Sequence, residues 1–373
     1  MPLAITRCAL LTPLDSPSRS TWDALRAGLR VTHPAVNDAL LDPDTTLDRS
    51  IRLALAVATR ALPPDIENRE SRIENPLALF CGTSKGPALT MLRALDTLRR
   101  NQPLPEADAR HVALGVGAMG TLLAERLRLP AAHTSVAACS SGMHALHRAA
   151  QAIRRGECAR ALVVAADASL HPLFEASFAR LGVLAPADDR GIRACEPFSR
   201  RGQGFFLAEA AAALLLENIN PASLTEARVE NGKPKIENLL AFLDSSGIAA
   251  DSTHLIATDA AGDSLRHALH GQNIELKTQH SPLAFIHAHA TGTDHDAHEL
   301  AAIRSVFSDT PVFSHKAWLG HSLGAAGLVS VALSALSHHH AALPDNTPIP
   351  PNATSLTLAQ GFGGHIALVR LHN

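Results

Sequence analysis

Thr134-Ser135-Val136-Ala137-Ala138-Cys139-Ser140-Ser141-Gly142 is the stretch on which the fold reading turns. Thr134 to Ala138 reads as a buried strand. The segment Gly142 to Arg155 has helical period, with Met143, Leu146, Ala150 and Ile153 on one face and Gly156 as an αL stop. A cysteine therefore stands where a strand turns into a helix. Outward from it, short Val-, Ile- and Ala-rich runs alternate with longer Ala/Leu segments, the pattern of an α/β protein with buried sheets. Strands are expected over Ala4 to Leu10, Leu77 to Gly82, Ala161 to Ala166, Ala210 to Leu216, Leu283 to Ala288 and His365 to Leu371. Helices are expected over Asp48 to Ala61, Gly115 to Leu127, Ala297 to Phe307 and Leu323 to Leu336.

The same event occurs once more. Gly320-His321-Ser322-Leu323-Gly324 is another turn that opens an Ala-rich helix, which hints at two similar halves. The stretch Asn218 to Lys235, with Pro221, Gly232 and Pro234, is the best boundary between them, giving halves of residues 1–220 and 221–373. No solenoid period is visible.

Composition narrows the class. The 373 residues, 46% hydrophobic and 18% charged, can bury a substantial core. A net charge of -2, with no basic run interleaved with aromatics, makes nucleic acid a poor partner. Met1 to Leu14 lacks the pattern of a signal peptide, and no stretch reaches about 18 uninterrupted apolar residues, so no membrane span is expected and the cytoplasm is the default address. Cys8, Cys81, Cys139, Cys158 and Cys195 are scattered without CxxC spacing, which fits reduced thiols better than disulfides or zinc. The sequence has 21 histidines and no tyrosine, and the histidines assign themselves no task by number alone.

Three segments can carry chemistry. Cys139 would lie near backbone N–H groups at the positive end of a helix dipole, a location expected to lower its thiol pKa. An arbitrary cysteine is more often simply buried, and the other four keep that reading. His287 to Glu299 ends a strand, starts a helix and holds His287, His289, Asp294, His295, Asp296, His298 and Glu299. A zinc site is one reading of it, although only i and i+2 on a strand share a face without further folding. The third segment, His315 to Gly327, contains G-x-S-x-G at Gly320 to Gly324. That is the nucleophile elbow of serine hydrolases, with Ser322 as nucleophile and Asp345 and His365 following in order. The elbow needs an apolar strand before it, and Ser314 to Leu319, with His315 and Lys316, reads poorly as one.

Taken together these segments resemble the elongating β-ketoacyl-acyl carrier protein synthases of the thiolase superfamily. Ala4 to Leu14 with Trp22, Leu25 and Gly28 is similar to their first strand and helix, and Ala137 to Gly142 to their T-A-C-x-S-G motif. Glu196-Pro197-Phe198 with Gly204-Phe205 resembles P-F-D-x-x-R-x-G-F, and His289 to Thr293 resembles H-G-T-G-T. Lys316 to Gly327 fits K-x-x-x-G-H-x-x-x-A-A-G, and Gly361 to Gly364 fits G-F-G-G. Each motif is modest alone, and the five in order are specific. Departures stand at Ser199 and Gly202, where the family has Asp and Arg, at Ala290 in place of Gly, and at His365-Ile366 in place of Thr-Asn. One residue is missing after Thr293, so that Asp296 and Glu299 carry the family's D-x-x-E.

The resemblance implies a thiolase-like fold of two pseudo-symmetric halves layered α/β/α/β/α, and an acyltransferase that makes carbon–carbon bonds. It implies Cys139 as acyl carrier, His289 and His321 as donors to the malonyl thioester carbonyl, Lys316 paired with Glu299, and Asp296 as support. Thr291 and Thr293 would contact the pantetheine arm, Phe362 would gate the pocket, and the N–H groups of Cys139 and Phe362 would form the oxyanion hole. Substrates would arrive on the phosphopantetheine of acyl carrier protein, with no metal or redox cofactor. The chain would pair with itself or with a related ketosynthase-like subunit. A non-catalytic, chain-length-factor-like partner subunit and a serine hydrolase using Ser322 are the alternatives.

Overall fold

The computed structural model describes residues 2–63, 77–130, 132–189, 191–199, 202–219, 228–230, 233–235, 239–254, 259, 261–279 and 283–373. Its strands are β1 (Leu3–Leu11), β2 (Leu77–Gly82), β3 (Ala132–Ser135), β4 (Arg160–Asp167), β5 (Ala210–Asn218), β6 (Arg228–Glu230), β7 (Lys233–Lys235), β8 (Ala241–Ala250), β9 (Leu283–His287), β10 (Val312–Phe313), β11 (Thr354–Gly361) and β12 (His365–His372). Apart from the β6–β7 hairpin they form one sheet in the order β10-β9-β11-β12-β8-β1-β5-β4-β2-β3.

That order contains the same unit twice. In β3-β2-β4-β5-β1, β2 pairs parallel with β3 and β4, while β5 pairs antiparallel with β4 and β1. In β10-β9-β11-β12-β8, β9 pairs parallel with β10 and β11, while β12 pairs antiparallel with β11 and β8. The two units meet where β1 runs antiparallel to β8, with Leu3 opposite Leu243. The boundary expected at residues 220–221 lies outside the described residues.

Two helices are sandwiched between the units. Ser141–Arg154 presents Met143, Leu146, Ala150 and Ile153 to the interior, and Ala326–His340 is buried almost all round. They share one apolar core with Leu3, Val163, Leu214, Leu243 and Val369 from both units. A second core lies under the Arg49–Ala61 and Ala118–Leu127 helices, and a third under Asp263–Gln279 and His295–Val306. The layers are therefore helix, sheet, paired helices, sheet, helix.

Local chemistry sets the ends. Asp48 caps Arg49–Ala61 by accepting from the N–H of Ser50 at 2.9 Å. β3 stops at Ser135, short of the expected Ala138, because Val136 to Ala138 make the turn and Ala138 takes φ 46°. Leu323, at the head of the other central helix, takes φ 47°. Both central helices thus begin behind a non-glycine residue in the left-handed region.

Candidate active site

The nucleophile turn is held by its own serines. Ser141 Oγ accepts from the N–H of Ala137 at 2.9 Å and donates to the carbonyl of Ala138 at 2.6 Å, while Ser140 Oγ donates to the carbonyl of Ala137 at 2.7 Å. These bonds satisfy a bend that its left-handed residue would otherwise leave strained. Gly142 lets the helix approach its partner: a Cβ there would lie 2.8 Å from Leu328 Cβ and 3.1 Å from the carbonyl of Gly324. A Cβ on Gly361 would lie 2.7 Å from the carbonyl of Ala137 and 3.1 Å from the N of Cys139, so the β11–β12 turn abuts Cys139 and carries Phe362 beside it.

Cys139 Sγ stands 3.2 Å from His321 Nε2. The loop of His321 is fixed by main-chain bonds, N–H to Phe206 at 2.9 Å and carbonyl from Ala208 at 3.1 Å, and its ring meets Phe205 edge-on at 4.8 Å. The His289 ring lies 5.7 Å from that of His321, at 81°. Burial, reinforced by the Lys316 ammonium, holds both imidazoles far below the ordinary histidine range, so they are neutral at neutral pH.

The expectation of a lowered thiol pKa is corrected. Cys139 is only 9% exposed, and burial pushes its thiol up to about 12 against the pull of Lys316. Loss of hydration is the largest cause, and the charges of Lys316 and Lys85 pull the other way. The resting pair is a neutral thiol facing a neutral imidazole.

Glu299 and Asp296, on the helix after the loop, clamp the backbone that carries His289. Glu299 accepts from the N–H of His289 at 2.7 Å and of Ala290 at 2.8 Å. Asp296 accepts from Thr291 at 2.8 Å, Gly292 at 2.9 Å and Phe198 at 3.0 Å. Burial, then the charge of Asp296, raises Glu299 to about 7. Lys316 Nζ donates to the carbonyl of His289. The expected Lys316–Glu299 contact is thus indirect: among the described residues nothing joins the two side chains, which hold opposite ends of His289 and feel each other's charge. Thr291 and Thr293 touch hydroxyl to hydroxyl at 3.1 Å.

These residues open on a pocket of about 720 Å³, part of it open solvent, lined by Cys139, His289, His321, Thr291, Thr293 and Phe362. Phe178 and Phe205 add an aromatic wall, their rings 5.8 Å apart, and Phe178 lies 6.5 Å from Phe362.

Other expectations are overturned. The residues before Ser322 form a short helix, Lys316–Leu319, and no strand; Asp345 is exposed and bonded to the N–H of Thr347. His365 packs edge-on against His144 at 5.4 Å, and among the described residues no hydrogen bond links Ser322, Asp345 and His365. The elbow reading lacks both its strand and its triad. The zinc reading finds no ligand set: His287 is buried and bonded to His315, and no three His, Cys, Asp or Glu side chains of the described residues group as ligands.

Sequence reasoning missed Asp167. Buried at the end of β4, it accepts from Thr83 Oγ1 at 3.1 Å, Ser84 N at 2.9 Å, Lys85 N at 3.3 Å and Gly324 N at 2.7 Å, and burial raises it to about 6. It ties the first unit to the turn after His321. The signal was a single acid ending the otherwise apolar run Ala161 to Asp167. Cys195 donates to the carbonyl of Thr291 at 3.3 Å, a structural bond that no spacing announced. Gly202 has φ 49°, and a Cβ there would meet Asp294 Oδ1 at 2.0 Å, so a larger side chain in this conformation would be strained and would displace Asp294.

A thiol nucleophile, two neutral imidazoles aimed at one pocket and an adjacent backbone turn define an acyl-transfer site. Family models match in both units: the N-terminal domain of β-ketoacyl synthases over residues 41–222 and the C-terminal domain over residues 240–349. The chain belongs to the β-ketoacyl synthase family, the acyltransferase-type condensing enzymes of fatty acid and polyketide biosynthesis, and its fold is thiolase-like. The 3-oxoacyl-[acyl-carrier-protein] synthase 2 of Mycobacterium leprae is 30% identical over 275 residues, 72% of this chain and 63% of that protein. The ishigamide ketosynthase/chain length factor shares the fold at TM-score 0.80 and 24% identity, covering 100% of this chain and 99% of that one. A ketosynthase bound to a hexaketide, in complex with its type II polyketide acyl carrier protein, does so at TM-score 0.79 and 20% identity, covering 100% and 99%.

Proposed function

We propose that this chain catalyses decarboxylative condensation of an acyl group carried on Cys139 with malonyl-acyl carrier protein. The observation that carries the reading is the 3.2 Å approach of Cys139 Sγ to His321 Nε2, with His289 at the same pocket.

The buried thiol needs a base. As Sγ attacks the acyl thioester carbon, its proton passes to His321 Nε2 and stays there, while the leaving pantetheine thiolate is protonated by solvent. The tetrahedral oxyanion sits between the N–H groups of Cys139 and Phe362, which the close approach of Gly361 brings together. Malonyl-acyl carrier protein then enters past Thr291, Thr293 and Phe362. The C–C bond to the carboxylate breaks, carbon dioxide leaves, and its electron pair becomes an enolate whose oxygen takes hydrogen bonds from Nε2–H of His289 and His321. The enolate carbon attacks the acyl-cysteine, and the Cys139 thiolate leaves and takes its proton back from His321 Nε2. Lys316, Glu299 and Asp296 hold the His289 backbone throughout. This mechanism calls on no metal or redox cofactor.

The partner is acyl carrier protein, and the assembly is a homodimer or a heterodimer with a related ketosynthase-like subunit. β3 supports the second point, since it ends the sheet with an open edge beside the nucleophile turn. Among the described residues no helix is long and apolar enough to cross a membrane, and all five cysteines are free, which supports a cytoplasmic address. A mixture of acyl-carrier proteins should leave acyl mass on Cys139, and addition of malonyl-acyl carrier protein should convert it to 3-oxoacyl product. Absence of acyl mass from the folded wild-type protein would refute the reading.

A further inference from the structure

Behind His289 and Lys316 lies a polar seam that the reaction does not directly use. His287, the last residue of β9, is 0% exposed, and His315, just before Lys316, is 1% exposed. His287 Nε2 is 3.0 Å from His315 Nδ1 and accepts from the His315 main-chain N–H at 3.3 Å. His287 Nδ1 is 3.2 Å from Ser334 Oγ, which is 3.0 Å from Thr357 Oγ1; Ser330 Oγ is 3.1 Å from His315 Nδ1 and donates to the carbonyl of Ala326 at 3.1 Å.

These bonds fit one tautomer pattern. The main-chain N–H of His315 points at His287 Nε2, so that nitrogen carries the lone pair and His287 is protonated on Nδ1, donating to Ser334. His315 must then be protonated on Nδ1 to bond His287. Its Nε2 is left as a buried acceptor that has no partner among the described residues. Burial keeps His287 near 3 and His315 well below its ordinary range, so the pair stays uncharged. A core indifferent to these positions would fill them with apolar side chains, since unpaired buried polar atoms destabilise.

What the seam joins is specific. His287 stands two residues before His289, and His315 adjoins Lys316, whose ammonium holds the His289 carbonyl. Ser330 and Ser334 lie one turn apart on the central helix that follows His321. We propose that His287 and His315 form a positioning pair that fixes the His289 loop against the Lys316–His321 segment, and so sets the spacing of the two imidazoles that serve decarboxylation. The proposal rests on the condensing reading above. It assigns the pair no contact with substrate, and it leaves Cys139 and its turn untouched.

The test uses His287→Leu, His315→Leu, the double variant and His287→Gln in the full chain, with carbon dioxide release from malonyl-acyl carrier protein, the rate of acyl-enzyme formation on Cys139, and melting temperature. Each leucine variant is expected to lose carbon dioxide release tenfold or more while acylation stays within about twofold. The double variant should lose no more than the worse single, because one link is broken only once. His287→Gln, whose amide oxygen can replace Nε2 as acceptor, should recover part of the loss. Carbon dioxide release within about twofold of wild type, a parallel fall in both half-reactions, or losses that multiply in the double variant would overturn the proposal. Should a leucine variant fail to fold, His287→Gln carries the test: an equal fall in both half-reactions there overturns it, and a selective fall in carbon dioxide release supports it. A wild-type protein that forms acyl-enzyme but releases no carbon dioxide would instead refute the condensing reading.

Discussion

Lys316→Met keeps most of the side-chain stem and removes the ammonium, which makes it a clean test of the clamp around His289. Lys316 is 1% exposed and donates to the His289 carbonyl, while Glu299 and Asp296, 4% and 3% exposed, hold the neighbouring N–H groups. A hydrogen bond to a charged group contributes about 1.5–3 kcal/mol, and removing the cation leaves two buried acids with their N–H donors but no neighbouring positive charge, a loss of up to about 3–5 kcal/mol. If the orientation of His289 depends on that bond, its loss corresponds to about a tenfold to hundredfold drop in decarboxylation. Glu299, already raised to about 7, should rise further, and the Cys139 thiol should rise too, because Lys316 is the first of the two lysines, with Lys85, that pull it down. The assay combines carbon dioxide release, iodoacetamide labelling of Cys139 and thermal denaturation. Turnover within twofold of wild type with an unchanged melting temperature would show that the clamp is incidental.

Asp167→Asn should alter the pH dependence of stability. The folded protein holds the Asp167 proton between pH 3.8 and about 6, where an unfolded chain has released it, so that contribution is present below 3.8 and lost as pH rises through 6. Relative to the variant, wild type should lose up to about 3 kcal/mol across this window and nothing above it; parallel curves would refute the assignment. Gly361→Ala would put a Cβ 2.7 Å from the carbonyl of Ala137, and displacement of Phe362 should slow acyl transfer about a hundredfold, against an unchanged rate if that turn supplies no donor. Val136 is 49% exposed just beyond the β3 edge, so if the proposed dimer forms through this edge, wild type should sediment as a dimer and Val136→Asp as a monomer; a monomeric wild type would refute the dimer, and a dimeric variant would refute this interface.

What could be read from the sequence followed from how uniform each environment is. β2 and β4 are buried on both faces and give continuous apolar runs, so their ends were legible to within a residue. β8, whose Asp244-Ser245-Ser246-Gly247 interrupts any run, and β11, whose first residues include Thr354, Ser355 and Thr357, with Thr357 bonded to Ser334, carry no such signal and were missed. The exposed helix Pro172–Arg180, with Phe178 its one buried residue, was invisible for a related reason. At the site, Cys139, His289 and His321 stood out because each sits in a short motif at the mouth of an element. The thiol pKa did not, since it depends on the burial of that turn; Asp167 is joined to the site by a bond from Gly324 of the other unit, and His287 and His315 meet only through the folding of the second unit.

The central claim is that Cys139 holds the acyl chain while His289 and His321 drive decarboxylation, and it is tested most directly by measuring carbon dioxide release and acyl-enzyme mass together on Cys139→Ala, His289→Ala, His321→Ala and Ser322→Ala. Cys139→Ala should form no acyl-enzyme and no condensation product yet still release carbon dioxide from malonyl-acyl carrier protein. Either histidine variant should still take up an acyl group, more slowly for His321→Ala, but lose decarboxylation by about a hundredfold or more. Ser322→Ala should change neither by more than a small factor. Condensation by Cys139→Ala, or loss of all activity confined to Ser322→Ala, would contradict the account.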